Sequence, residues 1–227
     1  MHSLFLGLSL VLLKICLAFL ISYVTISFME YFMHSQIMHK KFLPAWVYRQ
    51  WSYMQQIFEG HAIRHHGRWY REFDFEPHPE GRHDNIEITP TETVWLFLVA
   101  SPVWVTLLPF SPLMSATFIV TGLVHISLWN LLHNQMHIPQ PAFFMNWSAF
   151  RWLARNHYMH HQFTNRNYNI VFPLADYILG TKVEPRTKDM RELLRLGYLQ
   201  PKSTRAKARL EALCANIATQ RSTLATM

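Results

Sequence analysis

Residues 4–29, LFLGLSLVLLKICLAFLISYVTISFM, are apolar apart from Lys14 and a few hydroxyl side chains. As a helix these 26 residues extend about 39 Å, enough to cross a hydrocarbon layer of about 30 Å with some tilt. A cleaved signal would have an apolar core of about 7–15 residues ending at a small-residue site, which Tyr23-Val24-Thr25-Ile26-Ser27-Phe28-Met29 does not resemble. The run is too short for two crossings and reads as one span.

A second apolar region, Val94 to Leu132, is interrupted by Pro109-Phe110-Ser111-Pro112, a turn signal. Read as a hairpin it gives spans over 94–110 and 113–132, the first short for a crossing, and a total of about three. An odd count puts the termini on opposite sides. Lys40, Lys41, Arg49, Arg64, Arg68, Arg151, Arg155 and the basic tail then share one side, which the positive-inside rule makes cytoplasmic, with the amino terminus outside. Trp46, Tyr48, Trp51 and Tyr53 mark an interfacial helix after the first span, and a helix carrying Trp147, Phe150 and Trp152 is expected after Pro139 and Pro141. The expected fold is an all-α integral membrane protein: about three transmembrane helices topped by a cytoplasmic helical cap.

The chain has 227 residues, half of them hydrophobic and 15% aromatic, too apolar for disorder and sufficient for one domain or membrane module. Residues 1–181 read as that module and 182–227 as a basic, helical, peripheral tail. Of the net charge of +7, a surplus of six lies in the tail, which carries ten Lys or Arg against four acids. Beside apolar spans this favours an anionic membrane surface over nucleic acid as partner. Two cysteines, Cys16 and Cys214, exclude a disulfide framework, thiolate zinc sites and iron–sulfur clusters.

Imidazole remains as a ligand, and ten of the fourteen histidines form four groups: His34 and His39; His61, His65 and His66; His133 and His137; His157, His160 and His161. Neutral imidazole is the commonest protein metal ligand, and ten are too many for one ion. On an α-helix residues three or four apart share a face, which fits His133 with His137, His157 with His160 and His161, and His61 with His65. His34 and His39, five apart, fall roughly 140° apart on an ideal helix. They need a helix end, a distortion or two different metals, and a helix end is the favoured reading. The three-span topology brings all four groups to the cytoplasmic face. By chemistry alone such a site takes iron, zinc or copper.

Imidazole ligands are usually oriented by a group that accepts their second N–H. Glu30, one turn before His34, Asn130, three residues before His133, and Asp176 are candidates for that role or for local capping. His125, inside the third span, reads equally as functional or as a buried hydrogen-bonding residue and stays outside the ligand set. Trp129, Phe143, Trp147 and Phe150 could line a lipid slot, though packing is the plainer reading. His78 and His83, in a polar loop from Gly67 to Pro90, read as solvated.

With these groups in place the chain resembles the fatty acid hydroxylase superfamily, which includes sterol desaturases, fatty acyl hydroxylases and carotenoid hydroxylases. Its pattern H-x(3–4)-H, H-x(2–3)-H-H, H-x(3)-H, H-x(2)-H-H is met in order by the ten histidines. A second signature, N-Y-G-x-x-x-P-x-x-D-x-x-x-G-T, is met by residues 167–181 except that Asn169 stands where glycine is common, and Asn tolerates the same left-handed backbone. The match covers roughly residues 30 to 181. Family members often have four spans against the three counted here.

The resemblance implies two iron ions held by the ten histidines, O2 as co-substrate, and hydroxylation of an unactivated C–H bond of a lipid drawn from the bilayer. The sequence contains no cytochrome b5-like segment, so electrons are expected from a separate cytochrome b5- or ferredoxin-type donor with its reductase. Desaturation by the same site is an open alternative. A membrane metal-binding or transport protein is a reading from another class, disfavoured because the histidines gather at one end of the spans.

Overall fold

A computed structural model describes residues 2–70, 73, 87–201 and 203–212. His78, His83 and Cys214 lie outside the described residues, as does the end of the basic tail. The described residues are helical, with no strand among them.

Among the described residues two helices are long and apolar enough to cross a membrane. The first, α1 (His2–Phe32), runs without a break into a wider turn, Met33–Met38, so that the apolar element extends over Phe5–Met38. Two of its hydroxyls bond back to the helix itself, Ser9 Oγ to the Phe5 carbonyl at 2.9 Å and Ser22 Oγ to that of Ala18 at 2.6 Å. Most of its apolar surface is exposed, from Phe5 and Leu6 to Leu20 and Val24. The other, α6 (Pro112–His137), starts with proline at its first turn, where a missing N–H costs nothing. Thr117, Thr121 and Ser127 likewise bond the carbonyls four residues back.

The span expected over 94–110 is not one helix. Residues 90–107 form α4 (Pro90–Val99), set off by a capping box between Thr89 and Glu92, and α5 (Ser101–Leu107). Pro102 accounts for the break, since it has no N–H to donate to the carbonyl of Leu98. Trp104 bridges the break by donating its indole N–H to the Phe97 carbonyl at 2.9 Å. Neither piece has the roughly 20 residues that a crossing needs.

The helices α1 and α6 pack along each other, with the tip of Phe97 close over Gly122 of α6. A Cβ at Gly122 would lie 2.8 Å from Phe97 Cζ, so only glycine leaves the ring its place. Between them in sequence, α2 (Ala45–Gln50) and α3 (Ser52–Phe58) lead into a second wide-turn segment, Glu59–Trp69. Both such segments are π-helical, a geometry in which residues five apart stack one turn above another.

After α6 come α7 (Ser148–Gln162), the short α8 (Leu174–Ile178), a 3₁₀ turn Thr187–Asp189 and α9 (Met190–Arg195). A compact core joins the end of α6 to α7 and α9 through Met136, Phe150, Met159, Leu193, Leu196 and Tyr198. Part of the segment read as a peripheral tail is therefore buried: Tyr198 donates its hydroxyl to the Met136 carbonyl at 2.7 Å, and its own carbonyl accepts from Arg155 at 2.8 Å.

Candidate metal centre

The four histidine groups, carried by the two π-helical segments, α6 and α7, point into one volume. Their nitrogens sort into two sets within which ligand atoms lie within 4.8 Å of one another: His34, His39, His61, His66 and His160 in one, and His65, His133, His137 and His157 in the other. His161 stands between them, grouped with His65 of one set and His66 of the other. All are buried except His39, which is partly so.

The π-helical geometry decides this sorting. His34 lies in the first turn of the Met33–Met38 segment and His39 caps its end, so a separation of five returns both to one set, at a helix end and through a distortion. His61 and His66 share that set for the same reason, with Nε2 atoms 3.2 Å apart and the segment closed by the Tyr70 N–H on the His65 carbonyl at 2.9 Å. The α-helical pairing of His61 with His65 gives way, and His65 turns to the other set. On α7, which stays α-helical, His157 and His160 also face different sets.

Within the first set Nε2 atoms approach at 2.9 Å for His34 with His61, 3.0 Å for His39 with His160, and 3.2 Å for His66 with His160. In the second, His137 and His157 approach at 2.8 Å. Two ligands at right angles on an ion about 2.1 Å away would be about 3.0 Å apart. The donor set therefore fits a metal in each group.

Protonation supports the same fit. Burial, reinforced by neighbouring imidazoles, holds His61, His65, His66, His157, His160 and His161 well below the ordinary histidine value, and pushes His39 down to about 2. Neutral imidazole keeps the lone pair that a metal needs. His34 donates from Nδ1 to the Tyr168 carbonyl, His160 to that of Arg166 at 2.7 Å, and His161 to that of Tyr70 at 3.1 Å. Each of these bonds fixes the tautomer and leaves Nε2 as an acceptor facing inward. The Nε2 of His161 and both ring nitrogens of His65 are buried with no hydrogen-bond partner, a cost of about 1–3 kcal/mol apiece that a bound cation would offset at the one lone-pair nitrogen of each ring.

None of the three side chains expected to orient the ligands touches a ligand ring. Glu30 accepts from the Ile170 N–H at 2.6 Å and the Asn169 amide at 3.0 Å. Asp176 accepts from the N–H groups of Tyr168 and Asn169 at 2.9 and 2.8 Å and from the Thr181 hydroxyl at 2.7 Å. Both thus hold the loop whose carbonyls hold His34 and His160. Asn130 pairs with both backbone groups of Ile88 and secures the approach to α4. In that loop it is Asn167 that takes the left-handed backbone, with φ of 51°, and not Asn169. Its side chain bonds Asn156 and Val183. Asn156 and Asn167 were missed in the sequence, although a buried asparagine next to His157 is a signal of its kind.

A cavity of about 510 Å³ opens beside the imidazoles. His34, His61 and His65 form part of its wall, and Ile26, Phe118 and Trp129 line it between α1 and α6. Of the four aromatics considered for a slot, Trp129 lines the cavity and packs against His133 with the rings tilted and their centroids 4.4 Å apart, and Phe150 belongs to the core. Phe143 and Trp147 are 81% and 56% exposed. His125 joins neither histidine set and lies 3.3 Å from Glu30.

No protein-family model, curated protein or solved structure matches the chain.

Proposed function

We propose that this chain is a membrane-embedded dimetal oxygenase that hydroxylates an unactivated C–H bond of a lipid. The observation that carries this reading is two adjoining sets of buried neutral imidazoles at the end of an apolar cavity between the two long helices. A transporter would need ligands spaced along the crossing. Ten imidazoles gathered together, beside a largely apolar cavity of about 510 Å³, serve chemistry on a lipid better.

In this reading His34, His39, His61, His66 and His160 hold one iron and His65, His133, His137 and His157 the other, with His161 at their boundary. The bound pair supplies reductive activation of O2 by two electrons from a separate cytochrome b5- or ferredoxin-type donor. The protein's own residues do the rest. Carbonyls of Tyr70, Arg166 and Tyr168 orient three rings, Glu30 and Asp176 fix the loop that presents two of those carbonyls, and the apolar wall excludes water while it holds the chain against the imidazoles. Desaturation of the same lipid is the variant outcome.

In membrane terms, the exposed apolar surfaces of α1 and α6 face lipid, α4 and α5 dip into the bilayer as a broken third element, and the histidines and basic surface face the cytoplasm as a cap. The test is comparative lipidomics of cells with and without the chain, with His133→Ala and His160→Ala as controls. A lipid sixteen mass units heavier that requires the intact chain and disappears in both variants, which still reach the membrane, is the expected result. A product retained in both variants would refute the assignment.

A further inference from the structure

The cavity has an open side and a closed end. Trp51, Trp95 and Val99 line it and are exposed, whereas Phe118, which lines it too, is buried. One turn on from Phe118, three walls of the cavity meet over Gly122 of α6: a Cβ placed there would have Phe97 Cζ of α4 at 2.8 Å and Ile26 Cδ1 of α1 at 3.8 Å. The tip of the Phe97 ring therefore takes the space that a side chain at 122 would fill. Gly122 lies eleven residues before His133 and Ile26 eight before His34, about 16 and 12 Å along their helices, so this end is well separated from those imidazoles. It is apolar. Glu30 and His125, the nearest polar lining side chains along α1 and α6, face each other at 3.3 Å. A polar headgroup driven to this end would exchange its hydrogen bonds with water for hydrocarbon, and a terminal methyl gives up none.

Resting on the reading of this cavity as the lipid slot, we propose that Phe97, seated on Gly122, is a specificity-determining residue that stops the methyl end of the substrate's alkyl chain. The substrate is then an acyl or alkyl lipid, and the carbon presented to the imidazoles is set by counting back from its methyl terminus. A separation of about 12–16 Å holds roughly ten carbons, at about 1.3 Å of extended chain for each C–C bond of about 1.5 Å. A stop at one end fixes which C–H bond is presented, whereas a chain in an open-ended slot could slide.

The test is the position of the product's new functional group. Cells with and without the full-length protein are fed ¹³C-labelled dodecanoic, tetradecanoic and hexadecanoic acids, total lipids are saponified, and the hydroxyl or double bond that depends on the protein is located by tandem mass spectrometry. In the wild type it should stand at one distance from the methyl end in all three acids. Phe97→Ala withdraws about 4 Å of side chain and should move it about three carbons farther from the methyl end. Phe97→Leu should move it by about one carbon, and keeps the test in hand if the alanine variant does not reach the membrane. A position fixed from the carboxyl end, scattered along the chain, or unmoved in the variants overturns the stop. A product that depends on the protein in other lipids, with none among the acids, also overturns it and leaves the oxygenase reading standing. No such product in any lipid overturns both.

Discussion

Stripped of metal and titrated with acid, the protein should lose its fold within roughly one to two pH units below 6.5. His39, His61, His65, His66, His157, His160 and His161 are all held below that value, by burial first and by each other second. In the unfolded chain each takes up a proton near pH 6.5. Below that pH the unfolded state binds more protons than the folded one, so stability falls as pH falls. Each group contributes up to about 1.4 kcal/mol per pH unit, and seven together about 10 kcal/mol at most, against a total stability of about 5–15 kcal/mol. The window opens near pH 6.5 and for His39 reaches down to about 2. Bound metal competes with protons for the same lone pairs and moves the midpoint to lower pH. Circular-dichroism melts in detergent from pH 7.5 to 4, before and after reloading, measure both effects. A metal-free melting temperature unchanged between pH 7 and 5 would refute the buried, neutral imidazole cluster.

Two substitutions probe the scaffold. Asp176→Asn sets an amide donor against one of the N–H groups of Tyr168 and Asn169, which bond different oxygens of the carboxylate, a cost of about 1–3 kcal/mol, and loosens the carbonyl that orients His34. Metal affinity, read by competition with a chromophoric chelator, should drop roughly 10–100-fold, and an unchanged value would separate the loop from the site. Tyr198→Phe removes the bond to the Met136 carbonyl, worth about 1 kcal/mol, and should lower the melting temperature by about 2–4 °C without altering metal content.

The helical class and the two long apolar elements were legible because hydropathy over some 20 residues is a strong signal. The ten histidines were legible as a group from their spacing. Their partition was not, because spacing was converted to direction with α-helical geometry, while Met33–Met38 and Glu59–Trp69 take the wider turn that moves His66 to the partners of His61 and His65 away from them. The separation of five between His34 and His39 was the trace of that geometry in the sequence. The span expected over 94–110 is broken at Ala100, just ahead of Pro102, whose effect on the backbone outweighs the hydropathy around it. The groups that orient the rings were invisible because they are backbone carbonyls, which every residue has. Asn130, Glu30 and Asp176 act on backbone, and Glu30 and Asp176 reach the site through the loop at 166–170.

Metal content of the chain, purified from membranes and counted by inductively coupled plasma mass spectrometry against amino-acid analysis, tests the dimetal centre most directly. The account predicts two metal ions per chain, falling to one or fewer in His65→Ala. A chain that carries no metal after reconstitution with ferrous iron, yet keeps its helical fold, would contradict it.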